Sequence, residues 1–104
     1  MARPRVLRIQ GRRVRLVVKS PVVAPAHGDN EFAGMCYSGM NLIELDAGLA
    51  GDEMRSVAVH EVVHDIESQI GMELTEQQVC ALGSVLFAFI RDNPKFIEWV
   101  QEGR

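Results

Sequence analysis

Residues 54–71 of the chain read MRSVAVHEVVHDIESQIG, and their apolar side chains recur at helical spacing. The stripe is formed by Val59, Val62, Val63, Ile66 and Ile70, and Met54 and Ala58 extend it. Asp52 suits an N-cap, Glu53 is favourable in the first turn, and Gly71 suits a C-cap. We therefore expect a helix over residues 54–70.

Two further helices are expected downstream of Gly71. The letters TEQQ at residues 75–78 fit a capping box, in which Thr75 is the N-cap and Gln78 is the third helical residue. This helix should end near Asn93, because Asn93 and Pro94 suit the N-cap and first position of a last short helix, PKFIEWVQE.

Strand patterns precede the helices. Residues 6–18, VLRIQGRRVRLVV, predict two short strands in a hairpin around Gly11, and residues 41–45, NLIEL, predict a third strand. Residues 20–34 hold two prolines and two glycines and are expected to be a loop. The resulting prediction is an α+β fold in one domain spanning 1–104, with a small N-terminal antiparallel sheet of about three strands followed by three helices.

The composition is ordinary for a globular protein, with 104 residues of which 47% are hydrophobic and 24% charged. No apolar run reaches the roughly 20 residues that span a membrane, and no signal-peptide pattern is present. We therefore expect a cytoplasmic protein with no membrane partner. Cys36 and Cys80 are expected to be reduced and buried.

The net charge of −3 is unevenly distributed, since residues 1–20 hold seven of the eleven basic side chains and none of the fourteen acidic ones. Arg13, Arg15 and Lys19 alternate with apolar residues, which is typical of a strand with one solvated face. No aromatic residue is interleaved to stack on bases. A nucleic-acid partner is thus not favoured, although a nucleic-acid-associated factor using this basic hairpin is a third hypothesis.

The letters HEVVH at residues 60–64 carry the candidate chemistry. On a helix, His60 and His64 are separated by about 400° of rotation and about 6 Å of rise, so both imidazoles can reach one ion. Glu61 lies about 100° away from His60, where it can reach a water on that ion. This is the pattern of H-E-x-x-H zinc metallopeptidases, in which the glutamate is the general base.

A catalytic zinc usually has three protein ligands and an open position, so a third ligand is needed. His27, the only other histidine, lies in the predicted loop and is expected to be a bystander. Glu67 lies about 10 Å along the helix from the first histidine, which is too far for one ion. Glu73 and Glu76 remain as candidates, and Glu76 is preferred because the first turn of the next helix fixes its direction. The carboxylates that could bond to the ligand histidines are Asp46, Asp52, Asp65 and Glu67.

The segments HEVVH, the helix-ending glycine and LTEQQVCALGSVLFAFI (residues 74–90) resemble small zincin-like metallopeptidases of the gluzincin kind. They are most similar to the ImmA/IrrE-like proteins of phages and mobile elements, over roughly residues 41–92. The resemblance implies that His60, His64 and Glu76 are Zn²⁺ ligands and that Glu61 is the general base. It also implies that NLIEL is an edge strand along which an extended substrate lies.

The chain departs from this family in its short spacer between His64 and Glu76 and in lacking a dedicated oxyanion-stabilising residue after the motif. Tyr37, the only tyrosine, is a possible oxyanion stabiliser, and otherwise a half-buried aromatic residue. The expected function is a zinc-dependent metallopeptidase-like protein that hydrolyses a protein or peptide through a metal-activated water. The alternative is a non-catalytic zinc-binding protein-interaction module, and a homo-oligomer is expected if a helix face stays apolar after folding.

Overall fold

The computed structural model describes residues 2–23 and 31–103, and in these residues the strands precede the helices. The strands are β1 (Val6–Ile9), β2 (Arg12–Lys19), β3 (Val22–Val23), β4 (Glu31–Phe32), β5 (Gly34–Tyr37) and β6 (Leu42–Asp46). The helices are α1 (Gly51–Ile70), α2 (Glu76–Asp92) and α3 (Pro94–Gln101), and a 3₁₀ turn covers Ser38–Met40. The predicted α+β order is confirmed, while His27 lies outside the described residues.

The main sheet has four strands in the order β1-β2-β6-β5. The predicted hairpin is confirmed, because β1 and β2 pair antiparallel and the chain turns at Gln10 and Gly11 with positive φ. The next pair, β2 and β6, is parallel, whereas β5 and β6 are antiparallel. The sheet is therefore mixed and has four strands, not an antiparallel set of about three. A parallel pair needs a connection of a dozen or more residues, which the chain between β2 and β6 supplies.

The expectation that residues 20–34 form only loop was wrong for part of that stretch. Val22 of β3 pairs with Phe32 of β4 in a two-stranded sheet, and β5 begins at Gly34. Local composition favoured a loop because of its prolines and glycines, but strand formation depends on cross-strand partners that composition does not report.

The core lies between one face of the main sheet and α1. Its buried members come from β1, β2 and β6, and they are Ile9, Val14, Leu16, Ile43 and Leu45. Residues along one side of α1 pack against them, namely Met54, Val57, Ala58 and Val62. Of the predicted stripe, Met54, Ala58 and Val62 hold α1 on the sheet together with Val57, which was not predicted, whereas Ile66 and Ile70 are exposed. This contact sets the face on which the histidines lie.

Both ends of α1 show how local sequence fixes a helix. The helix begins at Gly51 with Ala50 at the N-cap, so Asp52 lies in the first turn and was wrongly predicted as the cap. At the other end Gly71 has φ 75°, a left-handed conformation that glycine adopts without a side-chain clash, and its N–H donates to the Glu67 carbonyl. Within residues 2–23 and 31–103, none of the helices is long and apolar enough to cross a membrane.

The start of α2 is the predicted capping box. The Thr75 hydroxyl accepts a hydrogen bond from the Gln78 N–H at 3.1 Å, and the Gln78 side-chain oxygen accepts one from the Thr75 N–H at 2.9 Å. The capping box therefore fixes the direction of the first turn of α2.

Helix α3 begins at Pro94 as predicted. The Asn93 side chain, however, donates to the Phe89 carbonyl at 2.9 Å and does not cap α3.

Asp65 is a fully buried carboxylate on the side of α1 that faces the sheet. It accepts a hydrogen bond from the Arg12 guanidinium, and its other oxygen lies 3.8 Å from the Cys36 sulfur. Arg12 also donates to the side-chain oxygen of Asn41 at 2.6 Å. One of the basic residues near the N-terminus thus turns inward and connects β2 to α1, while Cys36 brings β5 to the same carboxylate.

We predict that Arg12→Ala lowers the free energy of unfolding by about 3 kcal/mol, because it leaves Asp65 buried without its cation. Arg13→Ala, an exposed neighbour on the same strand, is the control and should change stability by less than about 0.5 kcal/mol. Chemical denaturation followed by circular dichroism measures both. An Arg12→Ala effect as small as that of the control would contradict the structural role of the pair.

Candidate metal centre

Helices α1 and α2 bring His60, His64 and Glu76 to one point. His60 Nε2 lies 2.9 Å from Glu76 Oε1, and His64 Nε2 lies 3.0 Å from Glu76 Oε2. The two imidazole rings are 4.9 Å apart between centroids, as expected for neighbours one helical turn apart. One donor atom from each of the three residues lies within 4.8 Å of the others, so the group could hold a metal ion.

The packing of α2 on α1 places Glu76 opposite the histidines. Val79 and Gly83 are the buried residues of α2, and a side chain at Gly83 would begin 3.4 Å from the Cα of His60. Glu76 lies in the first turn of α2, directly after the Thr75 cap. Its side chain is 66% exposed, so the carboxylate sits at the mouth of the site and has room to adjust to an ion. Glu73, the other candidate ligand, is exposed in the connection and lies outside this group.

Glu67 links a histidine of the group to the α1–α2 connection. Its Oε1 lies 2.8 Å from His64 Nδ1, and its Oε2 accepts a hydrogen bond from the Leu74 N–H at 2.7 Å. The Leu74 N–H, together with His64, holds the pKa of Glu67 below its usual value. A proton on Nδ1 shared with this carboxylate leaves the lone pair of His64 Nε2 pointing toward Glu76.

The other carboxylates considered as partners of the histidines lie elsewhere. Asp52 forms ion pairs with Arg55 and Arg91, each at 3.1 Å. Asp65 is engaged with Arg12, and Asp46 ends β6. Among these four acids, only Glu67 bonds to a histidine of the group.

Glu61 is buried beside the group, with only 6% of its surface exposed. Burial raises the pKa of Glu61 to about 7, an effect that the nearby His64 opposes and Glu76 increases. The strand β5 comes very close to this part of α1, because Gly34 has no side chain. A Cβ at Gly34 would lie 2.7 Å from Val57 Cγ1 and 3.3 Å from Glu61 Cγ, so larger residues would push β5 and α1 apart.

A cleft of about 450 Å³ opens above these residues. One wall is α1 with His60, Glu61 and His64, and Glu76 stands at the side. The facing wall comes from the segment before β6, and its members are Phe32, Gly34, Met35, Cys36 and Ser38. The candidate metal group and the buried carboxylate thus share one open cavity large enough for part of a peptide.

The strand that borders this cleft is β5, which was not predicted from the sequence. It is the last strand of the main sheet, so in the described part of the chain its outer edge pairs with no other strand. The expectation that residues 41–45 form the edge strand was wrong, since β6 lies between β2 and β5 and pairs with both. The one local signal for β5 was Gly34, because an isolated glycine among apolar residues can mark close backbone approach.

Tyr37, the possible oxyanion stabiliser, does not line this cleft. Its hydroxyl lies 3.4 Å from the Val23 carbonyl oxygen. Desolvation raises the pKa of Tyr37, and the neighbouring Glu44 raises it further. Strand alternation accounts for the placement, because Cys36 points toward Asp65 on α1 and the next side chain points to the opposite face.

The chain matches no protein-family model, no curated protein and no solved structure. Its function is therefore inferred from the geometry of the described residues. The resemblance to zincin-like metallopeptidases stays a prediction that depends on the H-E-x-x-H spacing and on Glu76.

We predict that Cys36 resists alkylation in the folded protein. Burial, followed by the charges of Asp65 and Glu61, raises the pKa of Cys36 to about 12, so the thiol stays protonated at pH 8. Its thiolate fraction should then be about a thousand-fold smaller than that of an ordinary thiol. Cys80 is exposed on α2, so the expectation that it is buried was wrong. Mass spectrometry after timed treatment with iodoacetamide should show Cys80 labelled and Cys36 unlabelled. Both should react after denaturation, and equal labelling in the native state would contradict the raised pKa of Cys36.

Proposed function

We propose that the chain is a zinc-dependent metallopeptidase-like protein that hydrolyses peptide bonds. One observation carries the proposal: two imidazole nitrogens and a carboxylate converge in an open cleft, and a buried glutamate lies directly beside them. A set of two histidines and one glutamate is a common ligand set of catalytic zinc sites, which leave a coordination position free.

The donor atoms fit zinc in kind, and one from each residue lies within 4.8 Å of the others. Tetrahedral zinc with bonds of about 2.0–2.2 Å holds its donor atoms about 3.3–3.5 Å apart. The two nitrogen–oxygen distances, 2.9 and 3.0 Å, join His60 and His64 to different oxygens of Glu76 and are shorter than this by a few tenths of an ångström. Glu76 is exposed at the start of α2, so a small side-chain rotation would supply the difference.

The residues of the chain have separable tasks in this proposal. Bound zinc would polarise the substrate carbonyl and acidify the attacking water. Glu61 accepts the proton of that water and later donates it to the leaving amine nitrogen. Glu61 lines the cleft yet is only 6% exposed, because β5 approaches α1 closely at Gly34. Glu67 orients the imidazole of His64.

The edge of β5 is the proposed place for the substrate backbone. An extended peptide can add to an exposed sheet edge through main-chain hydrogen bonds, with alternate side chains entering neighbouring pockets. Phe32 and Met35 give the cleft apolar surface beside the metal group. A protein or peptide substrate fits this arrangement, and the cytoplasmic location stays a prediction.

A non-catalytic zinc-binding interaction module is the second candidate. It is favoured by the position of Tyr37, which lies away from the cleft and leaves the oxyanion without that donor. Structural zinc sites are closed by four side chains, whereas the group found among the described residues has three. Metal binding without hydrolysis of any peptide would favour the module.

We predict that the purified chain binds one zinc ion and that Glu61→Gln keeps the ion while losing hydrolysis. Removing a general base should slow cleavage about 10²–10⁴-fold. His64→Ala should lose both zinc and hydrolysis, because a ligand is gone. Metal content by inductively coupled plasma mass spectrometry and cleavage of a peptide library measure the two effects. Wild-type chain that stays zinc-free in micromolar zinc would refute the proposal.

Glu73 provides a matched control for the assignment of Glu76 as the third zinc ligand. Glu76→Gln should lose most zinc binding, whereas Glu73→Gln makes the same chemical change three residues away and should bind zinc as the wild type does. The expected pattern follows from the contacts of Glu76 with both histidines. The opposite pattern would assign the ligand to Glu73.

Glu67→Gln should weaken zinc binding about 10–100-fold. The carboxylate uses one oxygen at His64 and the other at Leu74, and an amide offers a single acceptor for these two donors. Competition against a chromophoric chelator measures the affinity. Glu53→Gln, an exposed acid in the first turn of the same helix, is the control and should leave the affinity unchanged.

A further inference from the structure

Helices α2 and α3 carry a continuous apolar surface that nothing in the described chain covers. The surface, called here the apolar stripe, consists of Leu82, Val85, Phe89, Phe96, Trp99 and Val100. These side chains are between 43% and 67% exposed, with Val85 and Trp99 the most exposed. In contrast, the residues of α2 that face α1, Val79 and Gly83, are buried.

The apolar stripe is one surface because aromatic contacts join the two helices. The rings of Phe89 and Phe96 meet edge to face with centroids 5.5 Å apart, and those of Phe96 and Trp99 are 5.9 Å apart. On α2, Leu82, Val85 and Phe89 are spaced by three and four residues and so lie on one face. The aromatic cluster continues this face onto α3.

The size of the apolar stripe matches a protein interface. Taking about 200 Å² for a fully exposed large apolar residue, the observed exposures leave about 650 Å² of accessible surface. This exceeds the 300–600 Å² of the largest patch on a typical monomer. A standard interface buries about 800 Å² per partner, somewhat more than half of it apolar. The stripe thus supplies about four-fifths of the area that one side of a standard interface buries, and all of its apolar part.

The charges beside the apolar stripe are self-complementary and favour a second copy of this chain as the occupant. Lys95 lies in the first turn of α3, and Glu102 caps its C-terminus seven residues later, about two helical turns, so both project from the same edge. When two such helices pair antiparallel, Lys95 of each copy comes opposite Glu102 of the other. The centre of that pairing falls between residues 98 and 99, which is also the middle of the apolar residues of α3.

We propose that the chain forms a two-fold symmetric homodimer in which the apolar stripes pack together and the α3 helices run antiparallel. The contact is isologous, so it closes at two copies. Val85 lies nine residues beyond Glu76, about 13 Å along α2, so the candidate metal centre stays outside the interface. The dimer therefore does not depend on the proposed zinc chemistry.

The sole tryptophan makes the proposal testable on the intact chain. Sedimentation equilibrium should give a monomer–dimer equilibrium, and Trp99 emission should shift to shorter wavelength as the protein is concentrated through the same range. A chain that stays monomeric, or that forms larger open-ended assemblies, overturns the proposal. So does a dimer in which Trp99 emission remains that of an exposed indole.

Two sets of variants test the contact itself. Val85→Asp should raise the dimer dissociation constant at least about a hundred-fold, whereas Ser84→Asp, exposed on another side of α2, should leave it unchanged. Lys95→Glu should raise it about ten-fold, and the swapped pair Lys95→Glu with Glu102→Lys should restore it. Circular dichroism confirms that each variant keeps its helices. An unchanged dissociation constant for Val85→Asp, or no restoration in the swapped pair, overturns the proposed arrangement.

Discussion

The buried carboxylate of Asp65 and its contact with the Arg12 guanidinium fix the rotation of α1 about its axis. A carboxylate that is wholly removed from water must keep its cation, so α1 cannot turn without separating the pair. With this side of the helix directed at the sheet, His60 and His64 lie about 100–140° round the helix from Asp65 and face Glu76 of α2. The same carboxylate lies near the Cys36 sulfur and so also holds β5 next to the helix.

The candidate site therefore has two halves with different structural origins. The metal half consists of His60, His64 and Glu76, and it comes from the contact of two helices joined by a short connection. The second half is the pocket around Glu61, and it exists because Gly34 allows a strand to lie close against the helix. A residue with a side chain at position 34 would collide with Val57 and crowd Glu61.

Local signals predicted the helices well and the sheet less well. Three signals act within a few residues, so the sequence alone indicates them: the helical spacing of apolar residues in α1, the Gly71 C-cap and the Thr75–Gln78 capping box. The convergence of His60, His64 and Glu76 was also predictable, because helical geometry and one short connection determine it. The parallel pairing of β2 with β6 and the position of β5 depend on partners distant in the chain, which periodicity does not reveal. Likewise, Arg12 and Asp65 are 53 residues apart, and no local pattern at either residue predicts the hydrogen bond between them.

The contact of Glu67 with both His64 and Leu74 has a consequence for the order of folding. All groups of the metal half lie between residues 60 and 76, so they meet through one small loop closure. The parallel strand pair and the Arg12–Asp65 contact require much larger closures, which slow the formation of a structure. The helical hairpin can thus assemble its three donor atoms early, and the environment of Glu61 is completed only when the sheet closes on α1.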